Sequence, residues 1–226
     1  MIYPFKSDNG TLLRDRVFLD FDLLKQIRAT FSYKETRDFI SLYITEGIPY
    51  AFKKNPLVYE DSRSWIAKHL ETNPENITLT GSSRLGFSLN PKKLGTPYSE
   101  NSDLDLIIVS RNIFEAYKND FKLYVNDVKI DIEKKRKIAA LSLHNIKYLG
   151  YTVNTLGFID QFKIPINKRY SSVYKTYDVF AHLIERMKIT PNCPNPYKVT
   201  ARIYKDWVSC LNQLTVNFNS SLKAAI

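Results

Sequence analysis

Ile77-Thr-Leu-Thr-Gly-Ser-Ser-Arg-Leu-Gly86 and, after a loop, Ser102-Asp-Leu-Asp-Leu-Ile-Ile-Val-Ser110 are the two segments on which the reading of this 226-residue chain turns. Ile77 to Thr80 reads as a short strand, and Gly81-Ser82 as the sharp turn leaving it. Ser83 to Phe87 then opens a helix, whose free backbone N–H groups and positive dipole end suit a phosphate. Gly81 lets the backbone approach that phosphate closely, and the Ser82 hydroxyl can donate to it. Asp103 and Asp105 alternate with Leu104 and Leu106 ahead of the apolar run Ile107-Ile108-Val109. Strand periodicity places both carboxylates on one face and both leucines on the other. Two carboxylates one strand repeat apart repel each other unless a cation lies between them. Mg²⁺ or Mn²⁺ shared with substrate phosphates answers that need.

Strand, Gly-Ser turn, helix, then Asp-x-Asp on a second strand resembles the signature of the polymerase-β-like nucleotidyltransferases. That superfamily includes nucleic-acid polymerases, tRNA terminal transferases, antibiotic nucleotidyltransferases, toxin-type enzymes and bacterial defence oligonucleotide synthases. The match covers Ile77 to Ser110. The connection from Phe87 to Asn101 departs from the pattern, being longer and richer in Pro, Lys and Ser than in minimal members. The fold implied is α/β of the α+β kind: a small mixed sheet flanked by helices, with N-terminal helices and a C-terminal helical annex. The resemblance also implies two divalent ions, one activating the attacking hydroxyl and one clamping the triphosphate.

Asp103 and Asp105 would hold both ions, and in the superfamily a third carboxylate from a neighbouring strand completes the activating side. Asp160 is the first candidate, because it lies in a strand-like apolar stretch with Gly157 nearby to permit close approach. Asp131, in the alternating segment Val128-Lys-Ile-Asp-Ile132, is the rival; Asp127 reads as a surface turn residue. Arg84 is placed to neutralise triphosphate charge at the helix start, or else to form a salt bridge. Lys92 and Lys93 in the long loop reach a triphosphate or a nucleic-acid backbone, or are simply solvated; both readings stay open. His69, His144 and His182 have no recognisable catalytic partner and read as structural.

Thirty-three Lys and Arg against 23 Asp and Glu give a net charge of +10, which favours polyanionic partners over a merely solvated basic surface. Cys193 and Cys210 have no metal-ligand spacing and point to a reduced, cytoplasmic setting. The opening Met1-Ile-Tyr-Pro-Phe-Lys lacks a signal-peptide layout, and no apolar run approaches membrane-spanning length.

In chain order, Asp8-Asn9-Gly10 reads as a turn. Leu23, Leu24, Ile27 and Phe31 keep a helical period, and a second helix spans Lys34 to Thr45. A third, Asp61 to Leu70, leads through Asn73-Pro-Glu-Asn76 into the first strand. Asn112 to Tyr124 is helical, and Asp127 to Lys137 follows, ending in the charge run Glu133-Lys-Lys-Arg-Lys137, an exposed face before it is a phosphate contact. Gly157 to Pro165 is strand-like, and Ser172 to Met187 helical. Pro191, Pro194 and Pro196 make a stiff linker, after which Val199, Ile203, Trp207, Leu211 and Leu214 space a last helix from Lys198 to about Val216, with Trp207 a packing residue. The division expected is 1–60 as a helical segment packed on the core, 61–170 as the catalytic core and 171–226 as C-terminal helices, the three forming one compact unit.

The activity implied by the resemblance is template-independent transfer of a nucleoside monophosphate from an NTP or dNTP to a hydroxyl of a nucleotide or oligonucleotide. Oligonucleotide synthesis in antiphage defence is among the roles that resemblance includes. A toxin- or resistance-type transferase acting on a protein, tRNA or small molecule is the alternative. A nucleotide-binding sensor without turnover is the alternative of another class.

Overall fold

Leu104–Val109 (β2) is the strand around which the chain packs: Leu104, Leu106 and Ile108 project to one face, Asp105, Ile107 and Val109 to the other, and only Asp105 of the six is exposed. The computed structural model to which β2 belongs describes residues 9–14, 16–100, 102–134, 136 and 140–222. The Met1-to-Lys6 opening, Asp8 of the predicted turn, and Lys135 and Lys137 of the charge run lie outside the described residues.

β2 pairs antiparallel with Ile77–Thr80 (β1) on one side and parallel with Val199–Tyr204 (β4) on the other; Phe158–Asp160 (β3) pairs antiparallel with β4. The order is therefore β1-β2-β4-β3, a four-stranded mixed sheet. Its first face carries Ile77 and Leu79, then Leu104, Leu106 and Ile108, then Val199, Ala201 and Ile203, and finally Ile159. Three helices supply the apolar side chains opposite: α3 (Pro56–Leu70), α5 (Arg111–Glu133) and α7 (Ser171–Lys188). Ile108 is fully buried at the centre, so truncation to Ala there costs about 2–5 kcal/mol.

α5 runs unbroken for 23 residues, with Phe114, Tyr117, Phe121, Tyr124 and Val128 on its buried stripe. The two shorter segments expected here are one helix, because no Pro or Gly interrupts Val125-Asn126. Asp131 consequently sits on that helix, half-exposed and paired with Arg136 at 3.0 Å, not on a strand. Buried Asp120 on the same helix accepts from the Ser172 and Val173 N–H groups at 2.8 and 3.0 Å, satisfying two of the unpaired donors at the start of α7.

The C-terminal segment departs most from expectation. Val199 to Tyr204 is a central strand, and the helix α8 begins only at Trp207 and ends at Leu222. The apolar spacing from Val199 to Leu214 fits a helix, but it spans two elements divided at Lys205-Asp206, where Asp206 accepts from the Ser209 N–H at 2.7 Å. Because β4 fills the space between β2 and β3, the sheet does not end near residue 170. The 171–226 segment is part of the core rather than a helical annex.

α1 (Phe21–Thr30) and α2 (Tyr33–Ile40) pack with α8 in a second cluster that includes Leu24, Ile27, Phe39, Ile40, Phe218 and Leu222. A capping box joins Ser32 and Glu35 at the start of α2, and a π-turn, Ser41–Thr45, continues it. α6 (Ala140–Tyr151) leads through a second π-turn to β3. None of the described helices is long and apolar enough to cross a membrane.

Candidate active site

The second face of the sheet is divided: Ile107, Val109, Phe158 and Tyr204 pack in a small apolar cluster at one end, and the other end is polar. Strand alternation lines up Thr80, Asp105 and Thr200 across β1, β2 and β4, and in the next row Ile107, Arg202 and Asp160 across β2, β4 and β3. The Thr200 hydroxyl donates to Asp105 Oδ1 at 2.7 Å. Asp105 of this row opens into a cleft of about 920 Å³.

Three pieces of chain wall the cleft. Gly81 and Ser82 begin α4 (Gly81–Leu85), a single helical turn directly after β1. Gly81 has φ +67, and a Cβ there would lie 3.3 Å from Asp105 Oδ2. The left-handed backbone favours glycine, and the carboxylate leaves a side chain there only a tight fit. The Phe87-to-Asn101 connection is the second wall. It is pinned by the Phe87–Pro97 bridge and by Ser88 N–H donating to Thr96 O at 2.9 Å, and it brings Ser88, Asn90, Lys93 and Ser99 to the cleft. Ser99 and Ser102 hydroxyls lie 2.9 Å apart beside Asp103. α8 provides the third wall with Asn217, Ser220 and Ser221.

Asp103, Asp105, Gly81 and Ser82 are thus brought together as the sequence implies. Asp105 has its pKa raised, first by loss of hydration within the cleft and then by the charge of Asp103; the Thr200 hydrogen bond, Arg202 and Lys198 pull the other way. Two adjacent carboxylates, one with its charge disfavoured, beside a hydroxyl and an open cleft suit a divalent cation. Mg²⁺ is commonly held by one or two carboxylates, with water and substrate phosphate completing its shell. The donor set therefore fits an ion held by Asp103 and Asp105.

Asp160 is placed otherwise. β4 separates β3 from β2, so Asp160 is two strand spacings, roughly 10 Å, from the Asp105 strand. Its carboxylate accepts from Arg202 Nε at 2.6 Å, Arg202 Nη2 at 3.2 Å and the Tyr148 hydroxyl at 2.6 Å. The residue is only 2% exposed. Burial is the largest single influence on Arg202 and opposes its charge, but Asp160 and Tyr204 together outweigh it and raise the guanidinium pKa. Burial, then Asp160, raises the Tyr148 phenol. The residue beside Asp105 on the neighbouring strand is Thr200, not a carboxylate. Among the described residues, no three His, Cys, Asp or Glu side chains gather as a metal site.

Arg84 also serves a different purpose from either one expected. It is 6% exposed and donates to Tyr43 O at 2.8 Å and Gly47 O at 2.9 Å, tying α4 to the N-terminal segment. Burial lowers its pKa to about 10. Lys93 lines the cleft, whereas Lys92 is exposed on the same turn outside its wall. No histidine lines the cleft: His69 and His182 each meet the carbonyl of the residue four earlier, at 2.7 and 2.8 Å, and His144 is exposed on α6.

Thr200, Arg202 and the α8 residues Asn217, Ser220 and Ser221 escaped the sequence reading. The alternation of Val199-Thr-Ala-Arg-Ile203 was the available signal for the first two. Nothing local marks the α8 residues, whose role depends on where the helix packs. No protein-family model, curated protein or solved structure matches this chain.

Proposed function

We propose that the cleft binds the triphosphate of an NTP or dNTP and that the protein is a template-independent nucleotidyltransferase acting on a nucleotide or oligonucleotide hydroxyl. The observation that supports this most is the seating of the Gly81-Ser82 turn against Asp105, 3.3 Å from the position of a Gly81 Cβ, with Asp103 in the same cleft. The Ser82 hydroxyl and the backbone at Gly81 hold phosphate oxygens. Asp103 and Asp105 would hold a cation, and Lys93 adds positive charge from the loop. Mg²⁺ or Mn²⁺ held there would supply neutralisation of phosphate charge and of the pyrophosphate leaving group. The acceptor oxygen bonds to the α-phosphorus as the bond to pyrophosphate breaks, and the hydroxyl proton passes to water in the open cleft. The net charge of +10 favours a nucleic-acid acceptor.

One observation favours a second reading, nucleotide binding without turnover: the residue beside Asp105 on the neighbouring strand is Thr200, not a carboxylate, and Asp160 is neutralised by Arg202. The two separate in one experiment. Each labelled NTP and dNTP is incubated with the protein, an oligonucleotide mixture and Mg²⁺ or Mn²⁺; products are resolved by length, and nucleotide affinity is measured in parallel. Extended products that vanish in Asp103→Ala support transfer. Metal-dependent affinity without product supports the binding protein, and neither product nor affinity refutes both.

A further inference from the structure

Beside the cleft lies a groove of about 470 Å³ whose walls include Phe162, Ile166, Tyr177, Tyr197, Lys198 and Thr200. Tyr197 belongs to both concavities, and Thr200 in the groove wall donates to Asp105 in the cleft wall. The groove therefore adjoins the cleft that holds the carboxylates. Its aromatic side chains are exposed: Tyr197 at 87%, Phe162 at 52% and Tyr177 at 45%. Folding gains little from aromatic surface left in water. Among the described residues the sole charged one in the groove wall is Lys198, whose Nζ lies 5.7 Å from the Phe162 ring centre; Lys163 Nζ lies 5.4 Å from the same ring.

Exposed aromatic side chains with Lys198 in the wall and Lys163 beside it, and no carboxylate among the described wall residues, complement a chain that offers bases and phosphates alternately. A duplex hides its base faces by stacking, so its bases cannot lie on these rings. We propose that this groove binds a single-stranded oligonucleotide, with bases on Phe162, Tyr177 and Tyr197 and phosphates on Lys163 and Lys198, and delivers its end to the cleft as the acceptor. The acceptor role rests on the transfer reading above; the binding itself does not.

The test is fluorescence anisotropy with fluorescein-labelled 12-nucleotide single-stranded RNA, the matching DNA and a duplex, in EDTA without nucleotide. Tyr197→Ala and Phe162→Ala each weaken single-strand binding by roughly five- to a hundredfold, the range of base–aromatic stacking. Tyr197→Phe retains it, and Tyr151→Ala, an exposed aromatic on α6, leaves it unchanged. Lys198→Gln flattens the dependence of log affinity on log salt by about 0.7, one phosphate on a single strand. The RNA and DNA arms identify which sugar is preferred. Failure of the wild type to bind any single strand overturns the proposal. So does equal sensitivity to Tyr151→Ala, no loss in either groove variant, or tighter duplex binding with the same sensitivities. Because metal and nucleotide are absent, a protein that binds here but extends nothing refutes the transfer reading alone. Extension that survives both groove variants with unchanged strand affinity refutes the groove alone.

Discussion

Asp160→Asn separates a structural carboxylate from a metal ligand. In the wild type the carboxylate takes two bonds from Arg202 and one from Tyr148, and its side chain is 3% exposed while that of Arg202 is 28% exposed. The amide keeps one acceptor oxygen but turns the other position into a donor facing N–H or O–H groups, and it leaves the guanidinium without its counter-charge. Breaking a buried pair from one side costs about 3–5 kcal/mol. Arg202 retains some contact with water, so the expected loss is about 3 kcal/mol. For a chain of this size that lowers Tm by roughly 6–12 °C. Urea unfolding at pH 7 in metal-free buffer measures it, with an unchanged m-value confirming that the folded state is intact. Asp160→Asn/Arg202→Met should recover part of the loss, since the double variant leaves no unpaired charge. Stabilisation by Mn²⁺ with nucleotide should persist in the single variant, because Asp103 and Asp105 are untouched. A loss below about 0.5 kcal/mol, the level of an ordinary surface substitution, together with disappearance of the Mn²⁺ effect would refute the reasoning and restore Asp160 as a ligand.

Four further outcomes follow from the same geometry. Asp105→Asn should raise Tm in metal-free buffer at pH 7: the raised folded-state pKa means that the wild type is favoured when protonated, below the ordinary value of 3.8, and loses that stability as pH rises through the raised pKa. The difference between variant and wild type should thus grow with pH over that window and then level off; a constant difference in pH-resolved melts counts against it. Arg84→Ala removes two charge-assisted bonds to carbonyls and should destabilise by about 2–3 kcal/mol in urea while nucleotide affinity of the folded protein holds. Lost affinity at unchanged stability would return Arg84 to the phosphate site. Gly81→Ala forces a left-handed backbone on alanine at about 1–2 kcal/mol and presses on Asp105, so calorimetry should show weaker metal-dependent nucleotide binding along with a lower Tm. Ser82→Ala should weaken triphosphate affinity on the order of ten- to a hundredfold, the worth of one bond to a charged group, and unchanged titrations would make the turn purely structural.

Local chemistry made much of this protein legible in its sequence. β1, the glycine turn and β2 are each written in a few contiguous residues, and alternation alone places Asp103 and Asp105 on the face opposite Leu104 and Leu106. The helices α1, α2, α3 and α7 were visible because their apolar residues repeat within one element. Asp160 was rightly read as part of a strand, for the same reason. Alternation states which face a residue takes but not which strand lies beside it. Strand order comes from crossovers that pack far-apart segments, and it put β4 between β2 and β3. That one insertion gave Asp105 a threonine for a neighbour and gave Asp160 an arginine, although both carboxylates point to the same side of the sheet. Arg84 followed a similar course: its charge suggested phosphate, but the side chain enters a buried site closed by the Tyr43 and Gly47 carbonyls, 41 and 37 residues away in the chain. A side chain's type can be read where it stands, but the partners that set its role are brought to it by tertiary packing, over separations that no local pattern spans.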